Sequence, residues 1–549
     1  MDDLHFSDSD DSDSDEDFTL YYSSSDDSDS SCDESDMPLK DRWKKFRNNF
    51  SWVKDDNFNP TIHEFNDPKV GINSDCNFNS ECKPIDIFKY FYSLDVMEMI
   101  CAMTNIYHSS KLDLLNESNI LKGNSRILSW KNISVSELYT YYGLVILMGL
   151  IKKPSYEMYW SNDPLLFTPV FGQYMSLKRF QAISRYLHYS EDESIDKLRK
   201  IRPLFEMMIE KFKIAYRPGE KISIDESLLK FKGRLSFKQC NLSKRSRFGI
   251  KIYKCCDSVN GYIYNASVYI GKDPEDESKM IGISGKVVMK LLDDLNGQGR
   301  ILFIDNWYSS PTLFAKLYEQ KNNVIGTVRT NRKKMPITKG MKLNKLARNT
   351  VVTFHSNNLL VVIWKDKKVV TMLSTLPGSE FIETGRTDHK TGQAIKKPKV
   401  VAIYNSNMGG VDKCDQIIKP YEVQRKTYRW YQKVALNLLD MAIFNANIVY
   451  NILHNDEKKS HCEFRLQLAR EILQEYGVQR KTAKKPRNKK TSQTHKLTKI
   501  PSNGKIKRKR LRCEKCSEKK IRTDTTWICN VCEMPLCKSC FDEMEKHSE

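Results

Sequence analysis

The chain has 549 residues, with 89 Lys and Arg against 69 Asp and Glu, a formal net charge of +20. At about 100–200 residues per domain it holds several domains, and its 40% hydrophobic and 11% aromatic content excludes disorder throughout. The start, MDDLHFSDSDD, lacks the basic and apolar regions of a signal peptide. The most apolar run, Leu144 to Ile151, falls short of the ~20 residues a membrane span needs and reads as a buried core helix.

The charge is unevenly placed. Residues 1–36 carry fifteen acidic side chains and no Lys or Arg, so the rest of the chain holds 89 basic against 54 acidic residues, a net +35. This acidic-serine tract cannot bury enough apolar surface to fold, and disorder is expected over 1–79. A second block, Gln479 to Arg512, carries fifteen Lys/Arg and no acid. A basic body with a basic neck points to a polyanion, nucleic acid above all. The neck's KIKRKRLR (505–512) reads both as a nuclear import signal, with the nucleus as the expected location, and as a DNA tether.

From Asp86 the apolar residues recur at helical spacing, through Thr104, then over Ser134–Ile151, Leu177–Tyr189 and Leu204–Tyr216. After Pro218-Gly219 the period shifts to strands at 221–231, 248–257 and 262–271, the last two joined at a turn bounded by Asp257 and Asn260-Gly261. A helix at Val287–Leu295, a strand at Arg300–Asp305, a helix entered through Pro311 and a strand at Asn323–Arg329 follow. That order is a mixed α/β sheet. Lys333–Lys399, rich in Lys, Thr and Asn, reads as an insertion with strands near Val351, Leu360 and Val370. Helices are expected from Met408, over Trp430–Leu453 and over Leu466–Tyr476.

Asp225 closes ISID, Asp305 closes ILFID, and Asp412 follows MGGV, with Asp415 three residues on and so on the same helix face. Carboxylates from separate elements meeting at the rim of an α/β sheet suit Mg²⁺ or Mn²⁺, which take oxygen ligands. Two such ions about 4 Å apart flank an in-line phosphoryl displacement. Taken singly, each aspartate is more often a cap or a surface acid than a metal ligand.

The words around these acids are SIDESLLKFKGR (223–234), FIDNWYSS (303–310) and KPKVVAIYNSNMGGVDKCDQ (397–416). They closely resemble three blocks of the piggyBac family of DNA transposases, and the resemblance runs over roughly 80–547. It implies an RNase H-like catalytic domain in two parts, 221–331 and 399–420, interrupted by a β-rich insertion domain at 332–398. A flanking α-helical dimerisation and DNA-binding domain comes from 80–220 and 421–477, with a basic linker at 478–512 and a zinc-binding domain at 513–549. Asp225, Asp305 and Asp412 fall on the family's catalytic aspartates and Asp415 on the additional one beside them; all four are implied ligands of two Mg²⁺ or Mn²⁺ ions. Ser406 stands where relatives often have lysine. The implied reaction is cut-and-paste transposition through hairpin ends, with insertion at TTAA, by a homodimer on double-stranded DNA. The alternative is a domesticated descendant that binds DNA without cleaving.

DNA contacts are expected from basic residues near these blocks: Lys232 and Arg234; Lys244, Arg245 and Arg247; Arg329, Arg332 and Lys333. Arg425, Lys426, Arg429 and Trp430 interleave base with aromatic, suited to phosphate clamping and base stacking. Trp430 reads equally as the packed head of its helix, and Trp307 as packing. At the end of the chain, Cys513-x2-Cys516, Cys529-x2-Cys532, Cys537-x2-Cys540 and His547 have zinc spacing. The expected cross-brace joins the first and third pairs on one Zn²⁺ and the second pair with His547 on another. An eighth ligand is left to a partner residue, water or His495. A RING-type ubiquitin ligase is the competing reading of this spacing.

Overall fold

The computed structural model describes residues 50–191, 193–240, 247–271, 281–338, 340–387, 392–423, 427–480, 495–500, 510–530 and 532–545. The acidic tract, Lys244, Arg245, Arg425, Lys426 and His547 lie outside the described residues. The chain divides into a large unit ending at residue 478 and a small C-terminal one.

The large unit opens with a strap along residues 50–72. Val53 bridges His355 antiparallel, His63 packs at a tilt against Tyr318 with ring centroids 4.4 Å apart, and β1 (Gly71–Ile72) pairs with β2 (Tyr216–Arg217). Asp67, its side chain 2% exposed, receives the guanidinium of fully buried Arg300 at 2.5 Å and that of Arg217 at 2.5 Å. The disorder expected over 1–79 therefore gives way to folded chain from residue 50. An Asn- and Asp-rich segment with no apolar period is held by satisfying a buried arginine elsewhere.

Helices α1 (Pro84–Phe91) and α2 (Leu94–Glu117) replace one continuous expected helix, with a break at Tyr92-Ser93. Then come α3 (Val135–Leu150), α4 (Pro169–Tyr174), α5 (Leu177–Tyr186) and α6 (Arg202–Ala215). Ser134 and Ser176 cap α3 and α5 by accepting the N–H groups of Glu137 and Arg179.

The sheet strands are β3 (Lys221–Lys230), β4 (Gln239–Cys240), β5 (Phe248–Asp257), β6 (Ile263–Val268), β7 (Ile301–Ile304), β8 (Asn323–Thr327), β9 (Val351–Ser356), β10 (Leu359–Lys365) and β11 (Val369–Ser374). Helices α7 (Gly282–Leu292) and α8 (Pro311–Glu319) connect them. These nine strands form one sheet ordered β4-β5-β3-β7-β8-β11-β10-β9, with β6 on the outer edge of β5. β3, β7 and β8 run parallel, while β5 and β11 flank them antiparallel.

This corrects the expectation of an insertion standing apart over 332–398, because β11 pairs with β8 and carries β9 and β10 into the same sheet. Among the described residues of 332–398, β12 (Phe381–Thr387) and β13 (Ala394–Pro398) form a ribbon separate from that sheet.

Helices α9 (Lys399–Asn407), α10 (Gly410–Ile418), α11 (Trp430–Leu453) and α12 (His461–Tyr476) complete the unit. α11 is long and apolar enough by composition to cross a membrane, yet most of it is buried in this fold. Its Val434, Leu438 and Ile443 share one core with Phe88, Leu144 and Phe212, so helices from both flanks of the sheet pack as one body. Ile222, Ile224, Leu302, Ile304 and Val324 pack one sheet face against α7 and α8. Phe303, Ile325 and Val362 pack the other against Val400 and Val401 of α9.

Candidate active site

Strand alternation decides where the acids point. Ile224 and Ile304 both face α7 and α8, so the next residues, Asp225 and Asp305, face the α9 side. β3 and β7 run parallel with Ile224 opposite Ile304, which sets Asp225, midway along β3, beside Asp305 at the exit of β7. Thr327 shares that face on β8 and donates its hydroxyl to Asp305 Oδ1 at 2.9 Å. Asp225 Oδ1 accepts the Glu226 N–H at 2.8 Å. Burial, together with the carboxylates of Glu226 and Asp305, pushes the Asp225 carboxyl up to about 7. Tyr404 of α9 lies by the same pair, and burial holds its phenol far above its ordinary range, so it stays protonated.

Asp412 is exposed in the first turn of α10, and Gly410 brings that helix onto the sheet. A Cβ at Gly410 would meet Ser223 Oγ at 2.4 Å and the Asp257 carbonyl oxygen at 3.1 Å. Asp415, expected in the same ligand set, is engaged elsewhere. Its Oδ1 accepts from Ser227 Oγ at 2.9 Å and from the buried Lys254 ammonium at 2.7 Å. Among the described residues, no three of the four carboxylates bring their oxygens within 4.8 Å of one another. Asp225 and Asp305 fit a hard cation, since like charges gathered in a half-buried place raise the Asp225 carboxyl and a cation would lower it again.

Of the basic candidates, Lys232, Arg234 and Arg247 are exposed at the far end of β3 and the start of β5. Arg329 and Lys333 are exposed beyond β8. Arg332 instead turns inward, its Nη2 donating to the Asn306 and Trp307 carbonyls at 3.1 and 2.6 Å and bracing the loop after Asp305. Trp307 stacks on Tyr253 at 5.7 Å. Arg429 donates to the Arg185 carbonyl, and Trp430 packs edge-on against Phe237 at 5.3 Å, as the head of its helix. Lys254, Thr327 and Tyr404 were missed from sequence; a lysine within the apolar run FGIKIYKCC was the one visible signal.

In the C-terminal unit β14 (Leu497–Lys499) pairs with β17 (Trp527–Cys529), and β15 (Leu511–Arg512) with β16 (Asp524–Thr525). Short α13 (Glu514–Glu518) and α14 (Lys538–Glu545) carry one cysteine of each outer pair. The thiols of Cys513, Cys516, Cys537 and Cys540 gather within 4.8 Å, with Cys516 Sγ 3.4 Å from Cys540 Sγ and 3.7 Å from Cys537 Sγ. Tetrahedral Zn–S bonds of about 2.3 Å place sulfurs at about that spacing. His495 Nδ1 lies 3.2 Å from Cys529 Sγ and 3.3 Å from Cys532 Sγ, forming a second group. The pairing of first with third is thus the observed one, and His495 joins the second pair.

A family model described as Transposase IS4 matches residues 83–447, and the human piggyBac transposable element-derived protein 3 is 26% identical over 479 residues. The chain belongs to the piggyBac family of transposases. That alignment covers 85% of this chain and 76% of the human protein. The human piggyBac transposable element-derived protein 2 is 26% identical over 71% of this chain and 65% of its own. Among solved structures, a piggyBac transposase synaptic complex with hairpin DNA matches with a TM-score of 0.63 at 24% identity, over 86% of this chain and 98% of that one. The piggyBac resemblance seen in three short words thus extends to a fold match over 86% of the chain.

Proposed function

We propose that this chain is a cut-and-paste DNA transposase of piggyBac type that binds divalent cations on Asp225, Asp305 and Asp412. The observation that carries the reading is the pairing on one face of Asp225, midway along β3, with Asp305, just past the end of the adjacent parallel strand β7. The strand order β6-β5-β3-β7-β8, with the first two antiparallel, supports an RNase H-like centre. The family's chemistry needs Mg²⁺ or Mn²⁺, which, when bound, polarises the attacking water or 3′-OH and stabilises the departing oxygen. Thr327 orients Asp305, and Arg332 holds the loop that follows it. Asp412 approaches from α10, whose packing at Gly410 sets its distance from the sheet.

Lys232, Arg234, Arg247, Arg329 and Lys333 are the proposed phosphate contacts, supported by their exposure beyond the strand ends. The transposase of similar fold was solved as a synaptic complex with hairpin DNA, which supports a DNA partner with hairpin ends; a homodimer holding two ends of double-stranded DNA belongs to the same proposal. Insertion at TTAA, a nuclear location through 505–512, and Zn²⁺ on the two tail groups belong to the same reading.

An excision assay with Asp305→Ala as control tests it. Excision by wild type and none by the variant, with DNA binding kept, is the expected result. If both bind DNA and neither excises, the second reading holds: a DNA-binding descendant without cleavage. That reading is favoured by the names of the human relatives, which are transposable element-derived proteins.

A further inference from the structure

Lys254 lies in the middle of β5, its side chain 1% exposed, directly across the antiparallel pair from Asp225. A buried ammonium is costly, and a methionine or leucine would fill the same space without that cost. Packing therefore does not explain the charge. Its placement does. Lys254 Nζ reaches Asp415 Oδ1 at 2.7 Å and Cys414 Sγ at 3.8 Å, both on α10. Ser227, two residues beyond Asp225 on the same face of β3, donates to the same Asp415 oxygen at 2.9 Å. Asp412 precedes Asp415 by three residues, so both share one helix face and fixing one fixes the rotation of the other.

We propose that Lys254 is a positioning residue, an internal cation that clamps α10 to the sheet through Asp415 and keeps Asp415 out of the cation-binding set. The clamp sets Asp412 against Asp225 and Asp305 before any metal arrives. It stands on geometry alone; its consequence for metal ligation rests on the carboxylate site proposed above. The same ammonium neutralises Asp415, so the helix stays seated on the sheet in the metal-free protein.

The test uses the full-length chain. Without metal, Lys254→Met raises amide hydrogen exchange across Asp412–Ile418 by about tenfold and leaves α3 and α11 unchanged. Strand cleavage falls by about tenfold or more, because the carboxylate on α10 is no longer held in place. Calorimetric titration with Mn²⁺ alone is expected to lose binding in Asp225→Asn and to weaken without losing it in Asp415→Asn, where the clamp but no ligand is removed. Should Asp415→Asn unfold, with its lysine left buried and unpaired, the double variant Lys254→Met/Asp415→Asn removes both charges and takes the same titration. Unchanged exchange over α10 in Lys254→Met overturns the clamp. Loss of Mn²⁺ binding in the double variant as complete as in Asp225→Asn overturns the exclusion of Asp415. If Asp225→Asn itself keeps Mn²⁺ binding, the carboxylate-site reading falls while the exchange result still decides the clamp.

Discussion

Asp225 and Asp67 show one side-chain type put to opposite uses by its surroundings. Asp67 meets two guanidinium groups, and its carboxyl is held down to about 2 against its burial. Replacing it with asparagine leaves Arg300 buried without its counter-ion, so Asp67→Asn is expected to cost about 3 kcal/mol in urea unfolding. The ion pair's contribution is fully present above about pH 4 and is lost as pH falls through about 2, which the urea midpoint followed in acid checks. Asp225 has the opposite sign. Burial and neighbouring acids raise its carboxyl, so the metal-free protein loses stability there as pH climbs from about 4 to about 7. At neutral pH, Asp225→Asn is therefore expected to stabilise the metal-free chain by about 1 kcal/mol while abolishing excision, and thermal unfolding reads the gain. The acids themselves were legible in the words SID, FID and GGVDKCD, whereas the facing of each required the strand register.

At the scale of elements, the glycine pair before Asp412 separates two roles. Gly409 has open space around an added Cβ, while at Gly410 the Ser223 hydroxyl and the Asp257 carbonyl are already in contact range. Gly410→Ala is expected to lift α10, costing about 1–3 kcal/mol and most of the excision activity. Gly409→Ala is expected to stay within about 0.5 kcal/mol of wild type in the same unfolding measurement. Helix existence was legible from apolar spacing, and the structure shows Ser134, Ser176, Ser310 and Ser460 capping the N-termini. The break at Tyr92-Ser93 was not, because the apolar period continues through it. Nor was the joining of β9–β11 to the main sheet, since periodicity shows that a segment is a strand but not which edge it pairs with. The N-terminal strap was hidden for the same reason: its anchor Asp67 is defined by partners 150 and 233 residues away.

For the whole molecule, +20 is a sum of parts, an acidic tract of fifteen charges against a basic neck of fifteen and a basic body between them. Binding of the full chain to DNA is expected to weaken steeply with salt, the logarithm of affinity falling with a slope of about −0.9 per phosphate neutralised. Lys232→Ala or Arg234→Ala is expected to flatten that slope by about one, read by fluorescence anisotropy across a salt series. Chelation of zinc is expected to open 495–545 to protease while the unit ending at residue 478 keeps its unfolding midpoint, because the two are separate compact units.

Spacing along the chain was enough to carry the family words, the helical periods, the cysteine pairs and the charge blocks, because each is local and needs no partner to be recognised. Four things waited for the tertiary fold: the face on which Asp225 and Asp305 meet, the capture of Asp415 by Lys254, the entry of His495 beside Cys529 and Cys532, and the folding of residues 50–79. Each depends on which distant atoms come within a few ångströms, and a buried charge or thiol acquires its role only from the neighbour that satisfies it.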